Sequence, residues 1–268
     1  MNFDQAFYTI GRLDLLAYQD TFVHRLDPRV KVATTLFFVF MVISYPKYEV
    51  LSLVPFFLFP VLLVSLGDIP ALFLVRKVLI VSPFAVCIGM FNPVFDPGTV
   101  QVLGVNLSAG WVSFLSILLK FTLTISAALL LIATTSFPGV CGALRRFGMP
   151  ALFVSQLLFL YRYLFVLLEE TMRLVRAREL RSFGARGREA KVTVRIIGGL
   201  FLRTVERAER IYRAMLSRGF AGNMPVLRRT GMGAADAAFL AVTVLLFAVL
   251  RFLPVGEWTG RFAQELLR

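Results

Sequence analysis

Long apolar stretches are the feature that most limits what this chain can fold into. A bilayer core about 30 Å thick needs roughly 20 apolar residues in a helix, and hydrophobic residues make up 58% of the 268 residues. Five stretches predict membrane-spanning helices, at about 30–44, 50–66, 78–91, 111–135 and 234–253. We therefore expect an all-α polytopic membrane protein that crosses the cell membrane several times.

Lys and Arg are concentrated in one segment of the chain. Residues 138–231 contain 18 of the 29 basic residues and 6 of the 16 acidic ones, so they supply +12 of the net charge of +13. Residues 92–110 contain no Lys or Arg. Because basic loops stay on the cytoplasmic side, we expect 138–231 inside the cell and 92–110 outside. The predicted divisions are an N-terminal bundle of about four spans (1–136), a basic cytoplasmic region (137–231), and a C-terminal span and tail (232–268).

The apolar stretch 151–168 has two interpretations. If it crossed the membrane as a sixth span, Arg145 and Arg146 would lie on the opposite side from the basic residues after Arg173. We therefore favour a long helix that lies against the inner face of the bundle. A second long helix is predicted at about 189–220, joined to the first by a turn at 184–187.

A 37-residue repeat relates the two long helices to each other. Moving the first copy forward by 37 residues superimposes six residues of identical type, and both copies end in small residues and glycines that stop a helix. The pairs are Glu169 with Glu206, Arg173 with Arg210, Arg176 with Arg213, Ala177 with Ala214, Arg181 with Arg218, and Phe183 with Phe220. The repeat predicts two equivalent arginine-tipped helix ends that fit two equivalent binding sites.

The sequence contains no motif of an enzyme active site. His24 is the single histidine and Cys87 and Cys141 lie far apart, so no metal site or disulfide is predicted. No GxxxxGK[ST] loop is present, and any ATP would have to be hydrolysed by a partner. Four glutamates of the basic region each lie three or four residues from an arginine, which predicts ordinary pairs within one helix: Glu169, Glu170, Glu206 and Glu209. We expect no catalytic residues and no cofactor.

His24 and Lys120 each suggest a specific structural role. His24 is expected to be a hydrogen-bonded structural residue, just before Asp27 and Pro28, which predict the N-cap and first residue of a helix. Lys120 lies about ten residues into the fourth predicted span, where a charge is costly. Its stem either extends toward the outer surface or acts inside the bundle or toward a partner.

Two segments carry a family resemblance. The first is the run 13–44, with the core His24-Arg25-Leu26-Asp27-Pro28-Arg29-Val30-Lys31, and the second is the tail 206–220. Both resemble CbiQ-type proteins, the transmembrane T components of energy-coupling factor (ECF) transporters. That family carries an Ala-Arg-Gly or Ser-Arg-Gly triplet at the end of each of two cytoplasmic coupling helices.

The two triplets match the family pattern unequally. Ser217-Arg218-Gly219 fits it, whereas Leu180-Arg181-Ser182 has a leucine where a small residue is usual. Ala177-Arg178-Glu179 is a competing placement of the first triplet, but the 37-residue register favours Arg181.

The resemblance implies a coupling subunit of an ATP-driven uptake transporter that is not itself an enzyme. Each arginine tip would dock in a groove of one subunit of an ABC-type ATPase dimer, because a guanidinium can bind carboxylates and carbonyls in a bidentate manner. The apolar faces of the helices would pack on a CbiM-like substrate-binding S component, and the cargo would be cobalt or nickel ions. A T component for a vitamin is one alternative, and a membrane scaffold whose basic loop binds polyanions is another; the coupling interpretation involves no nucleic acid.

Overall fold

The structure, a computed structural model, describes residues 17–95, 98–102, 105–181, 189–222 and 231–252. The described chain is helical apart from one short hairpin, in agreement with the predicted helical membrane protein. The elements in order are α1 (Phe22–Arg25), α2 (Pro28–Ile43), a 3-10 helix (Leu51–Phe57), α3 (Leu58–Leu66), α4 (Ala71–Gly89), α5 (Asn92–Phe95), β1 (Thr99–Val102), β2 (Val105–Ser108), α6 (Ala109–Thr134), α7 (Phe137–Arg146), α8 (Ala151–Arg181), α9 (Glu189–Leu216) and α10 (Ala234–Phe252).

The chain divides into two compact units. We call Leu13–Val140 with Thr230–Arg268 the bundle unit, and Met1–Arg12 with Cys141–Arg229 the helix-pair unit. The bundle unit contains α1 to α6 and α10, and the helix-pair unit contains the two long helices α8 and α9.

Four described helices are long and apolar enough to cross a membrane: α4, α6, α8 and α10. Three of them coincide with spans predicted from the sequence. In α4, only 6% of the most apolar 18-residue window is buried inside the protein, so nearly all of its apolar surface is available to lipid. The chain is a multi-pass membrane protein.

Of the first two predicted spans, the first agrees with helix α2 and the second differs in helix type. Helix α2 has 16 residues, about 24 Å at a rise of 1.5 Å per residue. The predicted span 50–66 is a 3-10 helix followed by the short helix α3, and Pro55 lies inside the 3-10 helix. Proline removes a backbone donor and strains an α-helix, so an apolar stretch interrupted by proline does not form one continuous helix.

Helix α4 begins seven residues earlier than predicted. It starts at Ala71 after Pro70, and Arg76 and Lys77 therefore lie within its first two turns, not in a loop between two spans. Their long side chains can extend to the membrane surface while the helix continues into the apolar core.

The stretch 151–168 is the first part of the single 31-residue helix α8. Its length and composition suit a membrane crossing, although the favoured interpretation from the sequence was a helix on the inner face. The side chain of Arg162 is exposed in the middle of the apolar stretch, with its guanidinium 6.0 Å from the centre of the Tyr163 ring. A guanidinium facing the hydrocarbon centre is costly, so a membrane crossing by this stretch would require a polar or protein surface around Arg162.

A two-stranded hairpin is the one regular element other than helix among the described residues. Strands β1 and β2 pair antiparallel, from Thr99 opposite Ser108 to Val102 opposite Val105. The sequence signal is the alternation of Val with Gln and Asn on either side of Leu103-Gly104, a pattern typical of hairpins. Helix patterns dominate the surrounding sequence, and this short alternation was missed.

The core of the bundle unit is built on aromatic rings. Phe38 of α2 is fully buried, with its ring centre 4.7 Å from that of Phe59 and 5.4 Å from that of Phe247. The rings of Phe59 and Phe247 meet edge-on at 5.0 Å, an arrangement that aromatic pairs prefer. These contacts join α2, α3 and α10 around one apolar centre.

Close packing of α4 and α5 on α6 depends on glycine. A Cβ atom on Gly110 would lie 2.5 Å from the Cα atom of Pro93, and one on Gly89 would lie 2.7 Å from the ring of Phe114. Such distances are far below van der Waals contact. Gly110 therefore allows the backbones of α5 and α6 to meet, and Gly89 allows the ring of Phe114 to pack on the backbone of α4.

Candidate functional site

The end of α9 forms a capped turn that presents Arg218. The N–H of Phe220 donates to the carbonyl of Met215 and that of Gly219 donates to Leu216, both at 3.0 Å. Gly219 has a φ of +80°, so the end of the helix has the hydrogen bonds and the left-handed glycine of a Schellman motif. The sequence prediction that glycine stops this helix beside Arg218 is confirmed, although the helix itself ends at Leu216 and not near residue 220.

The end of α8 places Arg181 at its last residue. Its side chain is exposed, as is that of Leu180, whereas Arg178 is half-buried one turn earlier. Ser182 and Phe183, the remaining predicted residues of this end, and the predicted turn 184–187 lie outside the described residues. The exposure of Arg181 supports its placement as the arginine of the first triplet.

The glutamates and arginines of the repeat form pairs within each helix. Arg173 lies 3.5 Å from Glu169, Arg210 lies 3.9 Å from Glu206, and both pairs are four residues apart. Arg213 pairs with Glu209 in the same way at 3.2 Å. Exposed pairs of this kind stabilise a helix by a few tenths of a kcal/mol. The prediction that these carboxylates are ordinary helix partners is confirmed.

Glu170 behaves differently, and the sequence analysis missed its role. Its carboxylate accepts a hydrogen bond from Arg207 at 2.8 Å and lies 3.6 Å from Arg203, so it joins α8 to α9. The Glu170 side chain is 19% exposed and that of Arg207 is 35% exposed. A signal was present in the repeat, because the 37-residue register places opposite charges at these equivalent positions.

The two arginine tips carry no such pair. In the part of the chain that the structure describes, neither Arg181 nor Arg218 forms an ion pair with a carboxylate, and both side chains are exposed. The guanidinium donors at both helix ends are therefore available to another molecule.

A groove runs beside the last turns of α8. It has a volume of about 440 Å³ and is lined by Arg173, Arg176, Ala177 and Leu180 together with Glu169 and Met172. These positions recur at helical spacing and form one face of α8. Four residues of the repeat therefore share one face of α8, immediately before Arg181, that combines apolar and charged groups: Glu169, Arg173, Arg176 and Ala177.

The repeat residues near the end of α9 are also accessible. Arg213, Ala214 and Ser217 are exposed, and the Ser217 hydroxyl donates to the carbonyl of Arg213 at 3.0 Å. Phe220 is half-buried beyond the cap.

An exposed apolar stripe follows α9 on a different set of positions. Its members lie three, four or seven residues apart, as on one side of an amphipathic helix: Val194, Ile197, Phe201, Val205 and Tyr212. Gly198 and Gly199 lie along the same helix, and a Cβ on either would meet nothing within 4 Å. No described residue of this chain therefore packs closely against the glycine pair.

In the bundle unit, the predicted structural role of His24 is confirmed. Its Nδ1 lies 2.7 Å from the Thr21 hydroxyl, and its Nε2 lies 3.3 Å from the Ala133 carbonyl. A carbonyl only accepts, so Nε2 carries the proton there and Nδ1 accepts from Thr21. Nε2 thus links α1 to the end of α6, and Nδ1 links the ring to Thr21 just before α1.

Buried charges lie at the start of α2, a few residues after this histidine. Asp27 caps α2 through a 2.9 Å hydrogen bond from the Arg29 N–H, as predicted. The Asp27 N–H donates to the carboxylate of Asp236 at 2.7 Å, and Lys31 donates to the carbonyl of Thr134 at 2.8 Å. Asp27, Lys31 and Asp236 are all buried, and we call this set the polar junction.

Lys120 acts inside the bundle. Its ammonium donates to the carbonyl of Tyr45 at 2.6 Å, just beyond the end of α2. The guanidinium of Arg251 lies 4.1 Å from the centre of the Tyr45 ring. Two cations thus meet the C-terminal end of α2, where the helix dipole favours positive charge.

Comparison with known proteins gives consistent matches over most of the chain. The sequence model of the CbiQ family, described as cobalt transport protein, matches residues 19–229. An energy-coupling factor transporter transmembrane protein EcfT of Acidaminococcus fermentans is 30% identical over 87% of this chain and 93% of its own length. An uncharacterised protein of Methanocaldococcus jannaschii is 28% identical over 85% of this chain and 81% of its own length. The cobalt transport protein CbiQ of Rhodobacter capsulatus is 32% identical over 36% of this chain and 40% of its own length.

The family match includes both segments on which the resemblance was based, the motif from His24 to Lys31 and the capped end at Arg218. It also includes both long helices. The chain therefore belongs to the CbiQ family, which includes the transmembrane components of ECF transporters.

Proposed function

We propose that this chain couples an ABC-type ATPase dimer to a substrate-binding membrane subunit in an ECF uptake transporter. The observation that carries the proposal is the pair of exposed tips, Arg181 and Arg218, at equivalent positions of two long helices. Both lack a carboxylate partner among the described residues, whereas other arginines of the same helices are paired. Two unpaired, equivalent arginines fit two equivalent subunits of a dimer.

The chemistry of each tip suits a groove in a partner protein. An arginine guanidinium offers five donors in a planar fork and binds carboxylates or carbonyls with little reorganisation. At the second tip, Gly219 turns the chain away immediately after Arg218, so a groove wall can approach the helix end. At the first tip, the face that contains Arg176, Ala177 and Leu180 adds apolar contact next to Arg181.

The apolar stripe of α9 is the surface that we assign to the substrate-binding subunit. Phe201 and Val194 are each more than 60% exposed, and α9 is not one of the helices suited to cross the membrane. A membrane partner would remove these side chains from water, which is favourable by roughly 25 cal/mol per Å² of apolar surface. The open space at Gly198 and Gly199 would let a partner helix approach closely.

The cargo is proposed to be cobalt or nickel ions. The family description and one relative, which matches about a third of the chain, are named for cobalt transport. The EcfT relatives, whose names specify no cargo, match most of the chain, and a vitamin remains the alternative. Uptake of labelled cobalt by cells that express the complete transporter, measured against uptake of vitamins, distinguishes the two.

Association with the ATPase tests the coupling role. The full chain is co-expressed with the ATPase subunits, and the bound fraction is measured after purification in mild detergent through a tag on the ATPase. A charge-assisted hydrogen-bonded anchor contributes about 1.5 to 3 kcal/mol, so Arg181→Ala and Arg218→Ala are each expected to weaken association about tenfold to hundredfold. The double variant is expected to abolish transport while the chain still inserts.

Arg195 provides the matched control. It is an exposed arginine of α9 far from the tip, so Arg195→Ala removes the same charge but leaves both tips intact. If this variant weakens association as much as the tip variants, and association falls steeply with salt as for polyanion binding, the basic region acts through bulk charge and the coupling proposal is wrong.

A further inference from the structure

We propose that Glu170 is the positioning residue that sets the spacing of the two arginine tips, by fixing the point at which α8 and α9 cross. This inference rests on the proposed function, because the spacing of the two tips matters when both tips dock on the ATPase dimer. Glu170 accepts a 2.8 Å hydrogen bond from Arg207 and lies 3.6 Å from Arg203 one turn earlier on α9. The carboxylate is thus held between two cations of the other helix.

The position of the contact is symmetric with respect to the tips. Arg181 follows Glu170 by 11 residues, and Arg218 follows Arg207 by 11 residues. The 37-residue register that pairs the two tips therefore also pairs Glu170 with Arg207. At a rise of 1.5 Å per residue, each tip lies about 16 Å from the crossing point.

This geometry makes the tip spacing sensitive to the contact. Helices behave as stiff rods over this distance, and crossing angles of packed helices scatter by about 15 to 20°. A change of roughly 20° at the crossing point moves an end about 16 Å away by about 6 Å, more than the length of a hydrogen bond. Because Glu170 and Arg207 are largely withdrawn from water, replacing one partner leaves a poorly solvated charge and favours a different crossing.

The test measures tip spacing on the full chain in lipid nanodiscs, without the ATPase. Spin labels are attached to cysteines at Leu180 and Ser217, both exposed, after Cys87 and Cys141 are replaced by serine, and the distance distribution is recorded by pulsed electron resonance. Glu170→Arg is expected to shift or broaden the distribution by up to about 6 Å, the largest change in tip distance that the arm length and the change in crossing angle allow. Glu170→Arg combined with Arg207→Glu is expected to restore it, because the pair is re-formed with reversed charges.

Glu209→Arg is the matched control, since Glu209 pairs within α9 and its reversal is expected to leave the distribution unchanged. Where Glu170→Arg does not insert, Glu170→Gln keeps the side-chain volume, removes the charge and is expected to broaden the distribution. An unchanged distribution in either Glu170 variant, or a shift that the double exchange does not reverse, overturns the proposal. A reversible shift without any effect on ATPase association supports the positioning role and contradicts the proposed function.

Discussion

Gly219→Ala tests whether backbone geometry presents Arg218 to its partner. Gly219 has a φ of +80°, and a Cβ atom added there would meet nothing within 4 Å. Steric clash is therefore excluded, and the cost is that of an L-residue in the left-handed conformation, about 1 to 2 kcal/mol. This free energy corresponds to a population of the capped helix end that is about 5-fold to 30-fold lower.

The assay is the same ATPase association, measured on the full chain in mild detergent. We expect Gly219→Ala to weaken association by about 5-fold to 30-fold, which is the population change given above. Gly219→Asn is expected to have a smaller effect, because asparagine adopts the left-handed conformation more readily. The charge of Arg218 is unchanged in both variants.

Gly222→Ala is the control for backbone strain as such. Gly222 has a φ of +81° and open space around it, but it lies outside the hydrogen bonds that close the end of α9. If Gly219→Ala associates as well as the native chain, or no worse than Gly222→Ala, the cap does not position Arg218 and the reasoning fails.

Two further predictions concern packing and topology. Gly110→Ala would place a Cβ 2.5 Å from the backbone of Pro93 and is expected to destabilise the protein by about 1 to 3 kcal/mol. Gly142→Ala is the control, because a Cβ there meets nothing within 4 Å, and it is expected to be neutral or stabilising by up to about 1 kcal/mol. Equal melting temperatures of the two variants in detergent would contradict this prediction. The predicted orientation is tested with single cysteines in a chain without its native cysteines. A cysteine at Ser108 is expected to react with an impermeant thiol reagent added outside intact cells, and a cysteine at Ala185 is expected not to react. Labelling of Ala185 from outside would overturn the predicted orientation.

Local signals with a single physical cause were readable from the sequence. Asp27 and Pro28 correctly predicted the start of α2, because a capping carboxylate followed by proline is favoured at a helix N-terminus. Gly219 correctly predicted the end of α9, because glycine adopts the left-handed backbone conformation of a helix cap at little cost in free energy. Both positions are as predicted.

Features that depend on two distant segments were not readable in the same way. The pairing of Glu170 with Arg207 requires α8 and α9 to cross at these residues, and the rule for pairs within one helix pointed instead to nearby arginines. The hydrogen bond from Lys120 to the carbonyl of Tyr45, just beyond the end of α2, likewise requires α6 to pack beside α2. Tertiary contacts decided both outcomes.

The polar junction ties three helices of the bundle unit together. Lys31 donates to the carbonyl of Thr134 at the end of α6, and the N–H of Asp27 donates to the carboxylate of Asp236 at the start of α10. Asp27 and Lys31 both lie at the start of α2, within the motif that carries the family resemblance. Burying these charges is favourable only because each forms hydrogen bonds. The motif therefore acts structurally, because its buried charges fix the start of α2 to two helices that are distant in sequence.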